Sequence, residues 1–215
     1  MVAHQTVPMK AHLFDADGVI FDSERAHARS YVAYAQREGV SLTEERFLTE
    51  LRGRNGVAIM RALFPEASED KLAERTEAVN ALFRAEYLDD VTLIRGFEAY
   101  LAALREAGHR VVIVSNGVRA NLHAMLTAFS IELPSLSIED FQAPKPDPAG
   151  YLAGLALLNA TPEQGVVYED TAIGVLAGKR AGIRVVGVAS FLTEDELTAA
   201  GADAVIRDFT AFQIR

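Results

Sequence analysis

Asp15 and Asp17 lie two residues apart at the end of the apolar run Ala11-His12-Leu13-Phe14. Side chains at i and i+2 of an extended chain point to the same side, so a strand ending here brings two carboxylates together at its tip. Two such anions repel, and a divalent cation relieves the repulsion. Hard Mg²⁺ prefers oxygen ligands from one or two carboxylates together with substrate phosphate. The tip therefore reads as a metal-assisted phosphoryl site. One carboxylate can attack phosphorus and form an aspartyl-phosphate while the other moves protons to and from the leaving group. The competing reading is that both are turn residues ahead of Gly18.

Further segments add to this pattern in order along the chain. Val111-Val112-Ile113-Val114-Ser115-Asn116-Gly117 is an apolar strand ending in a hydroxyl and a glycine turn, before a helical stretch from Val118 to Phe129. A helix start there offers N–H groups to an anion, and Ser115 can bind phosphate, shape the turn, or do both. In Ala143-Pro144-Lys145-Pro146-Asp147-Pro148, two prolines flank a lone lysine, and Asp147 with Pro148 makes a helix start. An ammonium presented this way suits a phosphoryl oxygen or a nucleophilic carboxylate; most lysines are merely solvated. The last segment, Gly165 to Gly174, is a strand ending in Glu169 and Asp170. These acids can complete an oxygen cage for Mg²⁺, although Asp170 would also make an ordinary helix N-cap. Gly174, Gly178 and Gly182 then share one helix face, which reads as close packing on the sheet.

The elements that must position these residues follow from periodicity. Strand-like runs at Ala11–Phe14, Val111–Val114, Val166–Tyr168, Val185–Val188 and Ala204–Ile206 alternate with helical stretches from about Phe97 onward. This is the pattern of an α/β protein with a parallel sheet and helices on both faces, whose ligands bind at the carboxyl ends of the strands. The segment from about Ser23 to Asp90 reads as helices alone, with turns at Gly39, Gly53 to Gly56 and Pro65. Residues 1–22 and 91–215 are thus expected to form the core and residues 23–90 an insertion, with the opening decapeptide a frayed tail.

Taken together, Asp15-Ala16-Asp17-Gly18-Val19, Ser115-Asn116, Lys145-Pro146 and Glu169-Asp170 resemble the motif series of the haloacid dehalogenase-like hydrolase superfamily. The placement and length of the helical insertion resemble its beta-phosphoglucomutase-like branch. The resemblance implies a Rossmann-like core with an inserted all-helical cap domain that closes over the active site. It implies that Asp15 is the nucleophile and Asp17 the general acid/base. Ser115 and Asn116 would contact the phosphoryl group, and Lys145 would stabilise its charge and that of Asp15. Mg²⁺ would be held by Asp15, Asp170 and the backbone carbonyl of Asp17, with Glu169 supporting or completing the site. The founding dehalogenases need no metal and usually lack the second aspartate, so Asp17 argues for phosphate chemistry.

Composition bounds the partners. The 215 residues allow one core domain with a smaller inserted one, and half are hydrophobic. No run approaches a membrane helix and no signal-peptide pattern opens the chain, so a cytoplasmic protein with no membrane partner is expected. The absence of cysteine excludes disulfides and thiolate chemistry. A net charge of −9 with no basic patch repels polyanions, which argues against nucleic acid. A small phosphorylated metabolite remains compatible, and a monomer or weak homo-oligomer is expected.

Substrate choice should fall to the insertion. His27 follows the first motif by less than a helical turn and either faces the site or packs. Arg52-Gly53-Arg54-Asn55-Gly56 is either a specificity loop, with Arg52 the preferred contact and Arg54 the second, or a solvated turn. In mutases of the resembled branch a basic residue of this loop holds a second phosphate; the matching place here falls near Gly56, which has no side chain, with Arg54 as the substitute if the loop is shaped differently. The expected activity is therefore a Mg²⁺-dependent phosphatase acting on a sugar or polyol phosphate. The alternatives are a phosphoglucomutase-like isomerase and a non-catalytic binding protein on the same fold.

Overall fold

A computed structural model describes residues 11–211, so the expectation for the opening decapeptide lies outside the described residues. The strands, in chain order, are β1 (Ala11–Phe14), β2 (Phe21–Asp22), β3 (Thr92–Leu93), β4 (Arg110–Val114), β5 (Ser135–Leu136), β6 (Gly165–Glu169), β7 (Arg184–Val188) and β8 (Ala204–Ile206). Six of them form one sheet in the order β5-β4-β1-β6-β7-β8, and every pairing is parallel. β2 and β3 form a separate two-stranded sheet. Each run expected from the sequence is a strand of the large sheet. The short edge strand β5, lying between Pro134 and Ser137, carries too few residues to show a period.

The helices are α1 (Glu24–Arg37), α2 (Glu44–Arg46), α3 (Gly56–Leu63), α4 (Glu69–Leu82), α5 (Phe97–Glu106), α6 (Arg119–Ala128), α7 (Ala149–Leu157), α8 (Ala172–Arg180) and α9 (Glu194–Ala199). The described residues divide into two compact units, one of residues 11–20, 93–119 and 132–211, the other of residues 21–92 and 120–131. Most of α6 therefore groups with the helices that precede it in sequence, although it lies beyond the insertion expected at 23–90. Asn121 bonds into that unit: its Nδ2 donates to Asn80 Oδ1 at 3.1 Å and its Oδ1 accepts from Arg84 at 2.8 Å.

In the sheet unit, alternation along β1 separates two chemistries. Ala11 and Leu13 join an aliphatic core with Val112, Val114, Leu155, Val167 and Val185. His12 and Phe14 join an aromatic layer instead, in which Phe14 stacks on Tyr168 with ring centres 4.3 Å apart. His12 is buried and bonds to Tyr168 Oη at 3.1 Å and His109 Nδ1 at 2.6 Å. Burial, with His109 adding to it, pushes the His12 imidazole down to about 3, so it is neutral at neutral pH.

The helical unit buries Tyr31, Leu42, Phe47, Leu51, Ile59, Met60, Leu72 and Val79. Three of its helices are capped by short polar side chains: Thr43, Asn55 and Ser68 each accept a bond from the backbone N–H three residues on. Gly39 and Gly53 lie in the left-handed region, as turns require. Gly56, read as part of the turn, is instead the first residue of α3. A β-carbon there would lie 2.5 Å from Thr76 Cγ2 and 3.3 Å from the Tyr31 hydroxyl, so close packing by α4 and α1 dictates the glycine.

Candidate active site

The sheet order sets β1 between β4 and β6, so the carboxyl ends of these strands are neighbours. The chain steps outward to one side of β1 through β4 and β5, then to the other through β6, β7 and β8, and such a switch point is where open α/β sheets bind ligands. Asp15 follows β1, Ser115 follows β4, and Glu169 ends β6 with Asp170 directly after it.

Lys145 ties these ends together. Its Nζ donates to Asp15 Oδ1, to Glu169 Oε1 at 2.7 Å and to the Val114 carbonyl at 2.8 Å, so all its protons are directed. Its backbone N–H donates to Asn116 Oδ1 at 3.0 Å, which fastens the lysine loop to the β4 turn. Asn116 thus has its side-chain oxygen engaged within the protein. The Lys145–Pro146 peptide bond is cis. Asp147 accepts from the Ala149 N–H at 2.9 Å and so helps to start α7, one residue later than the sequence suggests.

Glu169 is almost completely buried and saturated with donors. Its Oε1 accepts from Lys145 and from the Tyr151 hydroxyl at 2.6 Å. Its Oε2 accepts from the N–H groups of Asp170 and Thr171 and from Thr171 Oγ1, at 3.2, 3.3 and 3.0 Å. Thr171, not Asp170, is the N-cap of α8, because its hydroxyl accepts the Gly174 N–H. The glycine series in α8 divides by role. A β-carbon at Gly174 would fall 1.9 Å from the Glu169 carboxylate, whereas one at Gly178 would meet Val185 and Val167 of the sheet. Gly182 lies past the helix with φ +73 and serves a turn.

Asp17 departs from the simple tip. β1 ends at Phe14, and a turn follows in which the Val19 and Ile20 N–H groups point to the Ala16 carbonyl. An extended i and i+2 pair is therefore not what brings Asp17 in. A β-carbon at Gly117 would lie 3.7 Å from Asp17 Oδ2 and 3.0 Å from Ser115 Oγ, so the Asp17 carboxylate borders the β4 turn. Ser115 Oγ accepts the Gly117 N–H at 2.9 Å, which shapes that turn and leaves its own proton to donate. The start of α6 is less open to an anion than its sequence suggests, because both Glu139 carboxylate oxygens accept the Arg119 N–H at 3.1 Å.

Asp15, Glu169 and Asp170 each offer a carboxylate oxygen, all within 4.8 Å of one another, and all are buried. Burial pushes the Asp15 carboxyl up, with Glu169 and Asp17 adding to it against the pull of Lys145. For Lys145, burial opposes the charge, but Asp15 and Glu169 outweigh it and hold the ammonium above the ordinary lysine range. One cation thus faces several buried acids. This all-oxygen donor set, short of positive charge, fits a hard divalent metal.

In the helical unit, Arg52 Nε pairs with Glu24 at 3.0 Å, and both side chains are largely buried. Glu24 carries no signal of this role in the sequence, because a glutamate in the first turn of a helix ordinarily serves the dipole. His27 stacks on Phe83 at 4.1 Å, and Arg54 is exposed. Tyr151 also escapes a sequence reading, since a tyrosine in an apolar helix looks like core.

A parallel α/β sheet with acids and a clamped lysine at its central strand ends is a site suited to phosphoryl transfer. Residues 12–188 match the family model of the haloacid dehalogenase-like hydrolases, and the chain belongs to that family. It is 31% identical over 206 residues to validoxylamine A 7'-phosphate phosphatase of Streptomyces hygroscopicus subsp. limoneus, covering 94% of each chain. It is also 31% identical over 181 residues to hexitol phosphatase A of Escherichia coli, covering 83% of this chain and 82% of that one. Among solved structures, a HAD hydrolase of family IA, variant 3, from Entamoeba histolytica superposes with a TM-score of 0.87 at 25% identity over 96% of each chain. This chain is a phosphoric monoester hydrolase acting on phosphorylated small molecules.

Proposed function

We propose that the chain is a Mg²⁺-dependent phosphatase of a sugar or polyol phosphate that works through a phospho-Asp15 intermediate. The observation that carries this reading is the Lys145 ammonium shared between Asp15 and Glu169 inside a buried acidic cluster. The hexitol phosphatase among the relatives supports a polyol skeleton.

Mg²⁺, held by Asp15 and Asp170 with Glu169 beside them, would supply the charge that lets a carboxylate approach a phosphate dianion. Asp15 attacks phosphorus and the bond from phosphorus to the ester oxygen breaks. Asp17 gives its proton to the departing alkoxide, then takes one from the water that attacks phospho-Asp15, releasing phosphate and restoring Asp15. Lys145 and the Ser115 hydroxyl stabilise the transferring oxygens, and Asn116 keeps the lysine loop in register. Arg52, Arg54 and His27 would be the substrate contacts of the helical unit; Arg52 is paired with Glu24, and such a pair offers both donors and acceptors to hydroxyls.

The mutase alternative is disfavoured by packing. The place where a basic side chain would hold a second phosphate falls near Gly56, where a β-carbon would lie 2.5 Å from Thr76 Cγ2 and fit only if that side chain shifted. The test is phosphate release from a panel of sugar, polyol and short-acid phosphates, with Mg²⁺ or chelator, for wild type and Asp15→Asn. Release that needs both Mg²⁺ and Asp15 supports the phosphatase. Sugar isomerisation with little free phosphate would favour the mutase, and an inert protein with normal Mg²⁺ binding would favour the binding protein.

A further inference from the structure

We infer that Tyr151 is a positioning residue for phosphoryl transfer, acting through Glu169 to keep the Lys145 ammonium aimed at Asp15. The inference rests on the phosphatase reading of that same site.

Tyr151 is fully buried on α7, beneath the reacting groups and not among them. Its hydroxyl donates to Glu169 Oε1 at 2.6 Å, the same oxygen that receives the Lys145 ammonium at 2.7 Å. Its ring lies under that ammonium, with Lys145 Nζ 4.8 Å from the ring centre, within reach of a cation–π attraction. Tyr151 therefore touches both members of the pair that faces Asp15.

The surrounding chain is shaped to bring it there. A β-carbon at Gly150 would lie 3.0 Å from Val114 Cγ1, and one at Gly154 would lie 2.9 Å from Leu13 Cδ2. Small residues on both sides of Tyr151 thus let α7 approach β4 and β1 closely. On the far side, Thr171 and the backbone hold Glu169 Oε2, and Gly174 leaves the carboxylate its space. Oε2 is fixed from α8 and Oε1 from α7. Without the hydroxyl, Oε1 keeps only Lys145, and the carboxylate can swing with the ammonium away from Asp15. A pocket formed only to fill volume would accept phenylalanine at this position.

The experiment uses the full chain with Tyr151→Phe, which keeps the ring and removes only the hydroxyl. Hydrolysis of p-nitrophenyl phosphate with Mg²⁺ should show kcat lower by about tenfold, KM within about twofold, and an unchanged thermal midpoint. In a double-mutant cycle, adding Tyr151→Phe to Glu169→Gln should cost little more, because the hydroxyl acts through that carboxylate. Nitrogen-detected NMR of the lysine ammonium groups gives a readout independent of turnover. Lys145 should show slow proton exchange in wild type and at least about tenfold faster exchange in Tyr151→Phe. Wild-type kcat in Tyr151→Phe, multiplicative effects in the cycle, or unchanged Lys145 exchange would each overturn the inference. Failure of the phosphatase reading shows separately, as wild type without Asp15-dependent phosphate release.

Discussion

Glu169 places its carboxylate in the volume that a β-carbon on residue 174 would take, 1.9 Å from that position. The helix after β6 carries glycine at its third residue so that a glutamate ending the strand can fold back under the helix N-terminus. Gly174→Ala should therefore push Glu169 out and loosen Lys145. The expected result is a loss of at least about tenfold in kcat and about 2 kcal/mol in stability, read by steady-state kinetics and urea unfolding. Wild-type values for both would mean that Glu169 has another place to go.

The acidic cluster should bind Mg²⁺ without substrate. Because a ligand that binds only the folded state stabilises it, Mg²⁺ at about a hundred times its Kd adds about 2.7 kcal/mol, or roughly 5 to 10 °C in thermal midpoint for a chain of this size. Asp170→Asn should abolish that shift while leaving the fold intact by circular dichroism. A shift that survives the substitution would place the cation elsewhere.

His12 gives the sheet unit an acid-sensitive stability. Its folded pKa is lowered from 6.5 to about 3, so below pH 6.5 the unfolded chain takes up a proton that the folded one refuses. Stability is full above 6.5 and falls progressively as pH drops towards 3, by about 1 kcal/mol between pH 6.5 and 5.5. Urea unfolding should show that loss in wild type and not in His12→Gln, which cannot titrate. Parallel pH profiles for the two proteins would refute the assignment.

Packing at Gly56 predicts its own outcome. Gly56→Ala sets a methyl 2.5 Å from Thr76 Cγ2 and should destabilise the helical unit by about 1 to 3 kcal/mol. Gly56→Ala combined with Thr76→Ser, which removes the opposing methyl, should recover most of the loss. No recovery in the double variant would point to backbone strain as the cause.

Five of the six strands of the sheet and the chemical types of the site residues were legible in the sequence, because each depends on neighbours within a few positions. Short apolar runs bounded by turn residues and rich in β-branched side chains read as buried strands. The partner of each side chain was not legible in this way. Lys145 meets Asp15 across 130 positions, and Tyr151 meets Glu169 from a helix whose sequence reads as plain core. The turn after Phe14 carries the Asp17 carboxylate to Gly117, where an extended strand would have set it beside Asp15. Residues 120–131 likewise group with the helical unit, where Asn121 meets Asn80 and Arg84, both distant in sequence. Local patterns fix what each segment is, but which atoms meet depends on parallel pairing that sets the ends of β4, β1 and β6 side by side, about 4.8 Å apart, and only the tertiary structure makes that choice.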